Sequence, residues 1–312
     1  MMFAAILSAL FPVFGLILIG FACGKVDLLG PRAFEVLNRF VISLALPVLT
    51  FRAIAHLKPS DLAVPWMVVA VVGGAFIIYP IGYFSERLSG RGRTEANIAG
   101  LVSCFSNTGF VGLPIALIAL GPQSLAPVAV TMAIYSAIVF GIAVLLSEIA
   151  APEGGLAVGL RRAVSALSRN SLILLAVIGI AWSLLGLPLS GPFDVMLETL
   201  AAATAPCALV AIGLFIALPR EHSAGVPVSR AVALKLIGHP LATAGLILLL
   251  PSMPPLWSAT AILMAAMPSG ASSFVLAGGA GRWAMELSAW TVTVSTSLAA
   301  LTLIPILWML AR

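Results

Sequence analysis

The feature that most constrains this chain is a helix-breaking run inside a long apolar segment. Residues 104–114 contain Asn107, Gly109, Gly112 and Pro114 within eight positions, although the surrounding sequence is apolar over the length of a membrane span. An unpaired backbone N–H or C=O costs several kcal/mol in lipid, so a broken helix persists there only when it is buried in protein or lines a watery cavity. The segment therefore predicts an interrupted helix at the centre of a membrane protein.

The second half of the chain carries an equivalent interruption at residues 267–273. Prolines and one asparagine recur with an offset of about 160 residues, which is the mark of an internal repeat. The matching pairs are Pro31 with Pro192, Pro47 with Pro206, Pro80 with Pro240, and Asn107 with Pro268. Two interrupted spans at corresponding positions of two halves are the best sequence indication of a transporter's binding site.

Composition predicts an all-α membrane protein. The chain is 61% hydrophobic and 9% charged, whereas soluble domains are about 25% charged. A span needs about 20 apolar residues. Ten such spans are predicted, at 3–23, 33–56, 65–86, 96–120, 125–147, 170–188, 194–218, 229–250, 256–280 and 286–310. The first repeat covers 1–149, a cytoplasmic connector covers 150–168, and the second repeat covers 169–312.

The basic residues predict the orientation. Of 16 Lys and Arg residues, 13 lie on the side reached after odd-numbered spans, and only Arg52, Lys58 and Arg312 lie on the other side. Positive charge is retained in the cytoplasm, so both termini are expected in the periplasm of a bacterial inner membrane. Because each repeat has five spans, the second repeat inserts upside down relative to the first. No loop has the density of Lys and Arg that a nucleic-acid partner requires.

The two interruptions predict an anion site. Each second half-helix, 110–120 and the one that follows 270, presents free N–H groups and about half a positive charge at its N-terminus. Two such ends that converge in mid-membrane can bind a negatively charged group without any Lys or Arg. The breaks are expected at 107–109 and 268–270. The predicted substrate-binding residues are Ser106, Asn107, Thr108, Gly109, Pro268, Ser269, Gly270, Ser272, Ser273, Pro47, Thr50 and Pro206.

Three cationic or titratable side chains are candidates for coupling or gating. Lys235 and His239 stand four apart and so share one helix face; they act on substrate or protons, or Lys235 extends to the cytoplasmic surface. Arg52 either attracts anions at the outer end of span two or extends to the outer surface. Carbonyls at 104–106 and 265–267 can hold a cation such as Na⁺. No acidic residue lies near either break, which favours proton coupling or facilitated transport.

Enzyme classes find no support in the sequence. There is no G-x-S-x-G, H-E-x-x-H or P-loop motif, and these are the short signatures of hydrolases, zinc proteases and nucleotide-binding enzymes. The three cysteines lie far apart and show no metal-ligand spacing. The sequence predicts no cofactor and no metal site.

Four segments resemble the auxin efflux carrier family, and the resemblance covers nearly the whole chain. They are LALPVLTF at 44–51, NTGFVGLP at 107–114, LKLIGHP at 234–240 and MPSG at 267–270. Plant members have a long hydrophilic loop between the halves. This chain has none, so it is similar to bacterial members, which are described as permeases for malonate, malate and related carboxylates.

The resemblance implies ten spans in which the fourth and ninth cross. It implies a scaffold of spans one, two, six and seven, and a moving transport part of spans three to five and eight to ten. A homodimer through the scaffold and elevator-type alternating access are further implications. Carried over to this chain, the crossover residues are Asn107 and Pro268 with their neighbours.

Two alternatives to an uncoupled or proton-coupled organic anion permease stay open. One is a Na⁺-coupled symporter of the related bile-acid type, whose Na⁺ binds near such a crossover with acidic ligands. The other belongs to a different class, an anion channel or a membrane-embedded sensor. In each case the expected partners are a small organic anion and the lipid bilayer.

Overall fold

The described part of the chain is built from helices. The computed structural model describes residues 2–58, 65–150, 156–219 and 225–310, and none of these forms a strand. The external loop at 59–64, the connector residues 151–155, Arg220 and Arg312, which entered the topology prediction, lie outside the described residues.

Seventeen α-helices run through the described residues of the two halves. Those of the first half are α1 (Met2–Lys25), α2 (Ala33–Phe40), α3 (Leu46–Ala55), α4 (Pro65–Leu88), α5 (Arg93–Cys104), α6 (Leu113–Ala119), α7 (Leu125–Ile134) and α8 (Phe140–Ala150). A connector helix, α9, spans Leu156–Ser168. The second half holds α10 (Ser171–Leu184), α11 (Gly191–Ala202), α12 (Thr204–Ala217), α13 (Val226–Ala233), α14 (His239–Leu249), α15 (Pro255–Ala265), α16 (Ser272–Ala277) and α17 (Arg282–Leu310).

Six continuous helical segments of the described chain are long and apolar enough to cross a bilayer, which confirms an all-helical membrane protein. They are Ala33–Ala55, Pro65–Leu88, Pro122–Ala150, Gly191–Ala217, Val226–Leu249 and Arg282–Leu310. Shorter apolar helices at Leu10–Lys25, Thr108–Ala119, Ser171–Leu184 and Pro255–Ala265 lie in the remaining predicted spans. The ten-span inverted arrangement stays a prediction.

Widened helical turns precede three of the prolines. Pro47, Pro114 and Pro240 each follow a five-residue π-helical turn, at Val41–Ala45, Thr108–Gly112 and Leu234–Gly238. Proline has no N–H, and its ring collides with the carbonyl four residues earlier. A turn widened by one residue relieves that conflict, and such π-bulges are frequent at functional sites. The helices therefore continue through these prolines.

The helices pack as two groups. α1 lies along α12, α3 lies along α10 and α11, and α2 contacts α12. The other group joins α4 to α5 and α14, α5 to α8 and α17, and α15 to α7. The groups meet where α3 contacts α7 and where α12 contacts the turn Thr108–Gly112. The site described below lies at this junction.

Two glycines allow α1 and α12 to approach closely. A Cβ at Gly20 would lie 2.3 Å from the carbonyl oxygen of Val210, and one at Gly213 would lie 2.1 Å from that of Ile17. Van der Waals packing is the main attraction between helices in lipid, and small residues increase it by letting backbones come together. This contact joins the first helix of the chain to its second half.

Replacement of Gly213 by alanine should loosen this helix pair. The added methyl group collides with backbone, which yields less than a side chain does, and overpacking of this kind costs about 1–3 kcal/mol. Gly213→Ala should therefore lower the thermal unfolding temperature of the purified protein. Gly15→Ala is the matched control, because a Cβ at Gly15 meets nothing within 4 Å. Equal unfolding temperatures for the two variants would contradict this packing.

Candidate functional site

The two helix breaks meet and cross at the centre of the described fold. α5 ends at Cys104 and helix resumes at Thr108, while α15 ends at Ala265 and helix resumes at Ser272. The first break lies at 105–107 and not at the predicted 107–109. The reason is that Asn107 caps the following helix, its Oδ1 accepting a hydrogen bond from the backbone N–H of Phe110 at 3.2 Å. The second break extends beyond the predicted 268–270 to 266–271.

Backbone groups freed at one break pair with those at the other. The N–H of Asn107 donates to the carbonyl of Pro268 at 2.8 Å, and the N–H of Gly270 donates to the carbonyl of Phe105 at 2.8 Å. Ser106 and Ser269 thus face each other in an isolated antiparallel bridge. Because Phe105, Ser106, Asn107 and Ser269 are buried, these pairs satisfy backbone groups that would otherwise each cost several kcal/mol.

Glycines allow the two crossing segments to touch. A Cβ at Gly270 would lie 2.7 Å from the Phe105 ring, and one at Gly112 would lie 2.8 Å from the sulfur of Met264. Either methyl group would require the neighbouring side chain to move. The glycines of both interruptions therefore serve the crossing itself.

Helix α17 supports the second break with two buried hydroxyl groups. The hydroxyl of Ser295 accepts a hydrogen bond from the N–H of Ser269 at 3.0 Å, and the Ser288 hydroxyl lies 2.8 Å from that of Ser273. Ser269 also donates its own hydroxyl to the carbonyl of Val102 at 2.9 Å. These bonds fix the second break against both α5 and α17.

A cavity of about 250 Å³ lies directly against the crossover. It reaches from both breaks to Asn38 on α2 and to Asn170 at the start of α10. Its walls carry polar and aromatic groups but no formally charged side chain. The residues that line it are Asn38, Ile42, Leu46, Phe105, Ser106, Asn107, Thr108, Gly109, Phe110, Met132, Tyr135, Ser136, Phe140, Asn170, Leu172, Gly270, Ala271 and Ser272.

Half of the predicted substrate-binding residues line this cavity. These are Ser106, Asn107, Thr108, Gly109, Gly270 and Ser272. Pro268, Ser269 and Ser273 belong to the crossover behind it. Pro47 and Thr50 are buried in α3, where the Thr50 hydroxyl donates to the carbonyl of Leu46 at 2.9 Å. Pro206 is exposed on α12. The last three do not line the cavity, because Pro47 and Thr50 are buried in contacts of α3 with other helices and Pro206 lies on the exposed side of α12.

Asn107 lines the cavity and carries a buried donor without a partner. Its Oδ1 caps the helix that begins at Thr108, so Oδ1 is already engaged. Only 4% of the residue is exposed, and Nδ2 has no hydrogen-bond partner among the described residues. A buried donor without a partner costs about 1–3 kcal/mol. An acceptor bound in the cavity would remove that cost, and the positive end of the helix Thr108–Ala119 favours an acceptor that carries negative charge.

Lys235 and His239 are completely buried next to the crossover. The Lys235 ammonium does not reach the cytoplasmic surface. It donates to the carbonyl of Ala265 at 2.6 Å and lies 3.1 Å from His239 Nδ1. Ala265 is the last residue of α15, so the ammonium sits on the negative end of the interrupted helix. The other histidine nitrogen, Nε2, lies 3.1 Å from the hydroxyl of Tyr135, which lines the cavity.

Arg52 lies in an ion-pair cluster away from the cavity. Its Nε is 2.6 Å from Asp194 Oδ1, and its Nη2 is 3.2 Å from Glu198 Oε2. His56 Nε2 is 3.6 Å from the same Asp194 oxygen. The guanidinium is therefore paired with two carboxylates and joins α3 to α11. These helices belong to predicted spans two and seven.

Several site residues were absent from the sequence prediction. Tyr135, Ser136, Asn38 and Asn170 line the cavity, and Ser295 supports the crossover. Tyr135 and Ser136 adjoin each other in an otherwise apolar span, a signal that could have been used. The spacing of Ser288 and Ser295, two helical turns apart on α17, was a second available signal. Asn38 and Asn170 carry no comparable signal, because asparagine is common at helix ends.

Comparisons with known proteins agree with this architecture. A family model described as "Membrane transport protein" matches residues 5–156 and 158–308 of the chain. A protein of Rhizobium meliloti (strain 1021) with the name "Putative malonate transporter" is 29% identical over 318 residues, which cover 98% of this chain and 96% of that protein.

Removal of the Ser295 hydroxyl should destabilise the second break. Ser295→Ala leaves the buried N–H of Ser269 without its acceptor, a loss of about 1–3 kcal/mol. The thermal unfolding temperature should fall. Ser297→Ala is the matched control on the same helix, because its exposed hydroxyl only bonds to the carbonyl of Thr293. A Ser295 variant as stable as the control would show that α17 does not hold the break.

Proposed function

The chain belongs to the membrane transport protein family, and on this premise we propose that it is a secondary active transporter for small organic anions, namely mono- or dicarboxylates. The observation that carries the proposal is the Asn107 amide, an unpaired buried donor at the N-terminus of the helix Thr108–Ala119 and on the wall of the crossover cavity. A carboxylate supplies both the acceptor and the negative charge that this position favours.

The size of the cavity favours a small substrate. Its volume of about 250 Å³ is below the roughly 300–1,000 Å³ of pockets that enclose drug-sized ligands. Carboxylates of a few carbon atoms fit such a space. The name of the Rhizobium meliloti relative, which mentions malonate, supports a dicarboxylate.

A carrier accounts for the packing better than a channel does. The cavity ends at the crossover, behind which Met264 and Met267 are fully buried. It extends instead toward Asn38 and Asn170, next to Arg39 and Arg169 on the side predicted as cytoplasmic. Alternating access requires a cavity that opens to one side at a time. With the predicted topology, the reach of the cavity toward Asn38 and Asn170 supports an inward-facing conformation.

The two packing groups support an elevator movement. α1, α2, α3, α10, α11 and α12 would form the scaffold, and α4–α8 with α13–α17 would form the moving part, which carries both breaks. The family resemblance extends the proposal to a homodimer through the scaffold, in a bacterial inner membrane with both termini in the periplasm.

Loss of the Asn107 amide should weaken carboxylate binding. Removal of one hydrogen bond to a charged group, about 1.5–3 kcal/mol, corresponds to a 10–150-fold weaker Kd. Isothermal titration of purified Asn107→Ala with malonate, malate and acetate measures this loss against the wild type. The uncharged diamide of malonic acid tests whether the site requires charge.

Thr50→Val is the matched control for this experiment. Its hydroxyl bonds only within α3, and the residue does not line the cavity. We therefore expect wild-type affinity for Thr50→Val. If Asn107→Ala binds normally but unfolds more readily, Asn107 is only a helix cap. If no carboxylate binds the wild type, the proposed substrate class is wrong.

Na⁺ is not expected to couple transport. The carbonyl of Ala265, which the sequence suggested as a Na⁺ ligand, already accepts a hydrogen bond from the Lys235 ammonium. The carbonyl of Phe105 accepts from the N–H of Gly270, and the carbonyl of Ser106 accepts from the N–H of Thr108. Replacement of Na⁺ by choline at constant ionic strength should therefore leave carboxylate affinity unchanged. A tenfold gain specific to Na⁺, equal to about 1.4 kcal/mol of coupling, would instead support the bile-acid-type symporter.

A further inference from the structure

Three buried side chains connect the cation behind the crossover to the cavity. Lys235 Nζ lies 3.1 Å from His239 Nδ1, and His239 Nε2 lies 3.1 Å from the Tyr135 hydroxyl. All three residues are at most 1% exposed, and Tyr135 is the member that lines the cavity. Both separations are hydrogen-bond distances. The three groups therefore form one continuous chain.

Protonation of Lys235 decides which group donates and which accepts in each of these hydrogen bonds. An ammonium has only donors, so His239 Nδ1 accepts from it and the neutral imidazole carries its proton on Nε2. Nε2–H then donates to the oxygen of Tyr135, so the phenolic proton is the next donor in the series. The Tyr135 hydroxyl interacts with the hydroxyl of Ser106, and both residues line the cavity. A carboxylate bound near Ser106 and Asn107 would be the acceptor at the end of the chain.

A purely structural role accounts poorly for this arrangement. A buried ionic group stabilises a fold less than a well-packed apolar side chain of similar volume does. Ionisable groups inside membrane proteins are accordingly rare and mark proton or substrate pathways. The Ala265 carbonyl explains one hydrogen bond of Lys235, but it does not explain why histidine and tyrosine continue the chain toward the cavity.

Other titratable groups near Lys235 do not supply a competing proton path among the described residues. The thiol of Cys104 on α5 interacts electrostatically with the ammonium. On α4, Tyr79 donates to Asn97, and Glu86 pairs with Arg230 of α13 at 3.3 Å. No described carboxylate is paired with Lys235. Its charge is thus available to a substrate through His239 and Tyr135.

We propose that Lys235, His239 and Tyr135 form a proton relay that couples carboxylate binding to one proton. In the relay step a proton moves from Lys235 Nζ to His239 Nδ1, so one N–H bond breaks as the other forms. The proton on His239 Nε2 moves to the Tyr135 oxygen. The original phenolic proton of Tyr135 moves to the substrate carboxylate, where the carboxyl O–H bond forms. The ammonium and carboxylate become an amine and a carboxylic acid, so the buried pair moves without net charge separation. This inference rests on the proposed carboxylate substrate.

The test is the pH dependence of carboxylate affinity in the full-length protein. One linked proton makes affinity change tenfold per pH unit. Malonate affinity of the wild type should fall tenfold for each unit above the pH at which substrate-free Lys235 loses its proton. His239→Gln keeps hydrogen-bonding atoms but does not titrate, and Tyr135→Phe keeps the ring that packs edge-on against Phe105. Both variants should bind malonate with no such slope.

A second histidine serves as the matched control. His56 lies beside Asp194 and away from the cavity, so His56→Gln should keep the wild-type slope. A tenfold slope that persists in His239→Gln would overturn the relay. A wild-type affinity that does not change with pH would also overturn it, while malonate binding itself would leave the proposed transport function standing.

Infrared difference spectra of substrate-free protein provide an independent readout if no carboxylate binds. The relay predicts that a pH change that titrates Lys235 shifts the phenolic C–O stretch of Tyr135, a band identified by its loss in Tyr135→Phe. His239→Gln should abolish the shift, because the link between amine and phenol is broken. A Tyr135 band that does not respond to pH in the wild type, or that responds equally in His239→Gln, would disprove the relay without reference to substrate.

Discussion

The structure depends on how backbone groups are satisfied where two helices stop inside the protein. Asn107 and Gly270 donate across the crossing to Pro268 and Phe105, so each break supplies the partners that the other lacks. Neither interruption is stable alone in lipid, because each would leave buried amides and carbonyls unpaired. The supporting bonds from Ser295 and the close approach at Gly270 follow from this requirement. The cavity lies where the two helices stop, and residues of both breaks, among them Asn107 and Gly270, line it.

Much of the fold could be predicted from patterns that lipid imposes. The apolar segments of the two halves predicted helical spans, and helices occupy those ranges. The motifs at 107–114 and 267–270 predicted the family, which the family match confirms. The exact break was missed by two residues, since capping by the Asn107 side chain decides where helix resumes. The widened turns before Pro47, Pro114 and Pro240 were also missed, because sequence does not show whether a proline kinks a helix or widens a turn.

The candidate site was predictable where a residue type is unusual in lipid and less so where it is ordinary. Asn107 and Lys235 stood out as polar groups in apolar spans, and both lie at the crossover. The i, i+4 spacing of Lys235 and His239 correctly placed them together. Which way each points was not predictable, since that depends on a contact with Ala265, 30 residues away. Pro206 is exposed although Pro47, its predicted equivalent, is buried, so an offset between two prolines does not predict their surroundings.

The distribution of the cavity wall between the two packing groups bears on the transport mechanism. Asn107, Tyr135 and Ser272 belong to the group that carries the crossover, and so does the Lys235–His239 pair. Asn38 and Asn170 belong to the other group. Under the proposed elevator movement, the first set would travel with the substrate, while the second would be exchanged for another part of the scaffold wall. Groups that neutralise the carboxylate must then all lie in the moving set, because charge left behind would stay unpaired in a low-dielectric environment. Lys235 meets this requirement, because it belongs to the moving set and its ammonium contacts Ala265, the last residue of α15, in the same set.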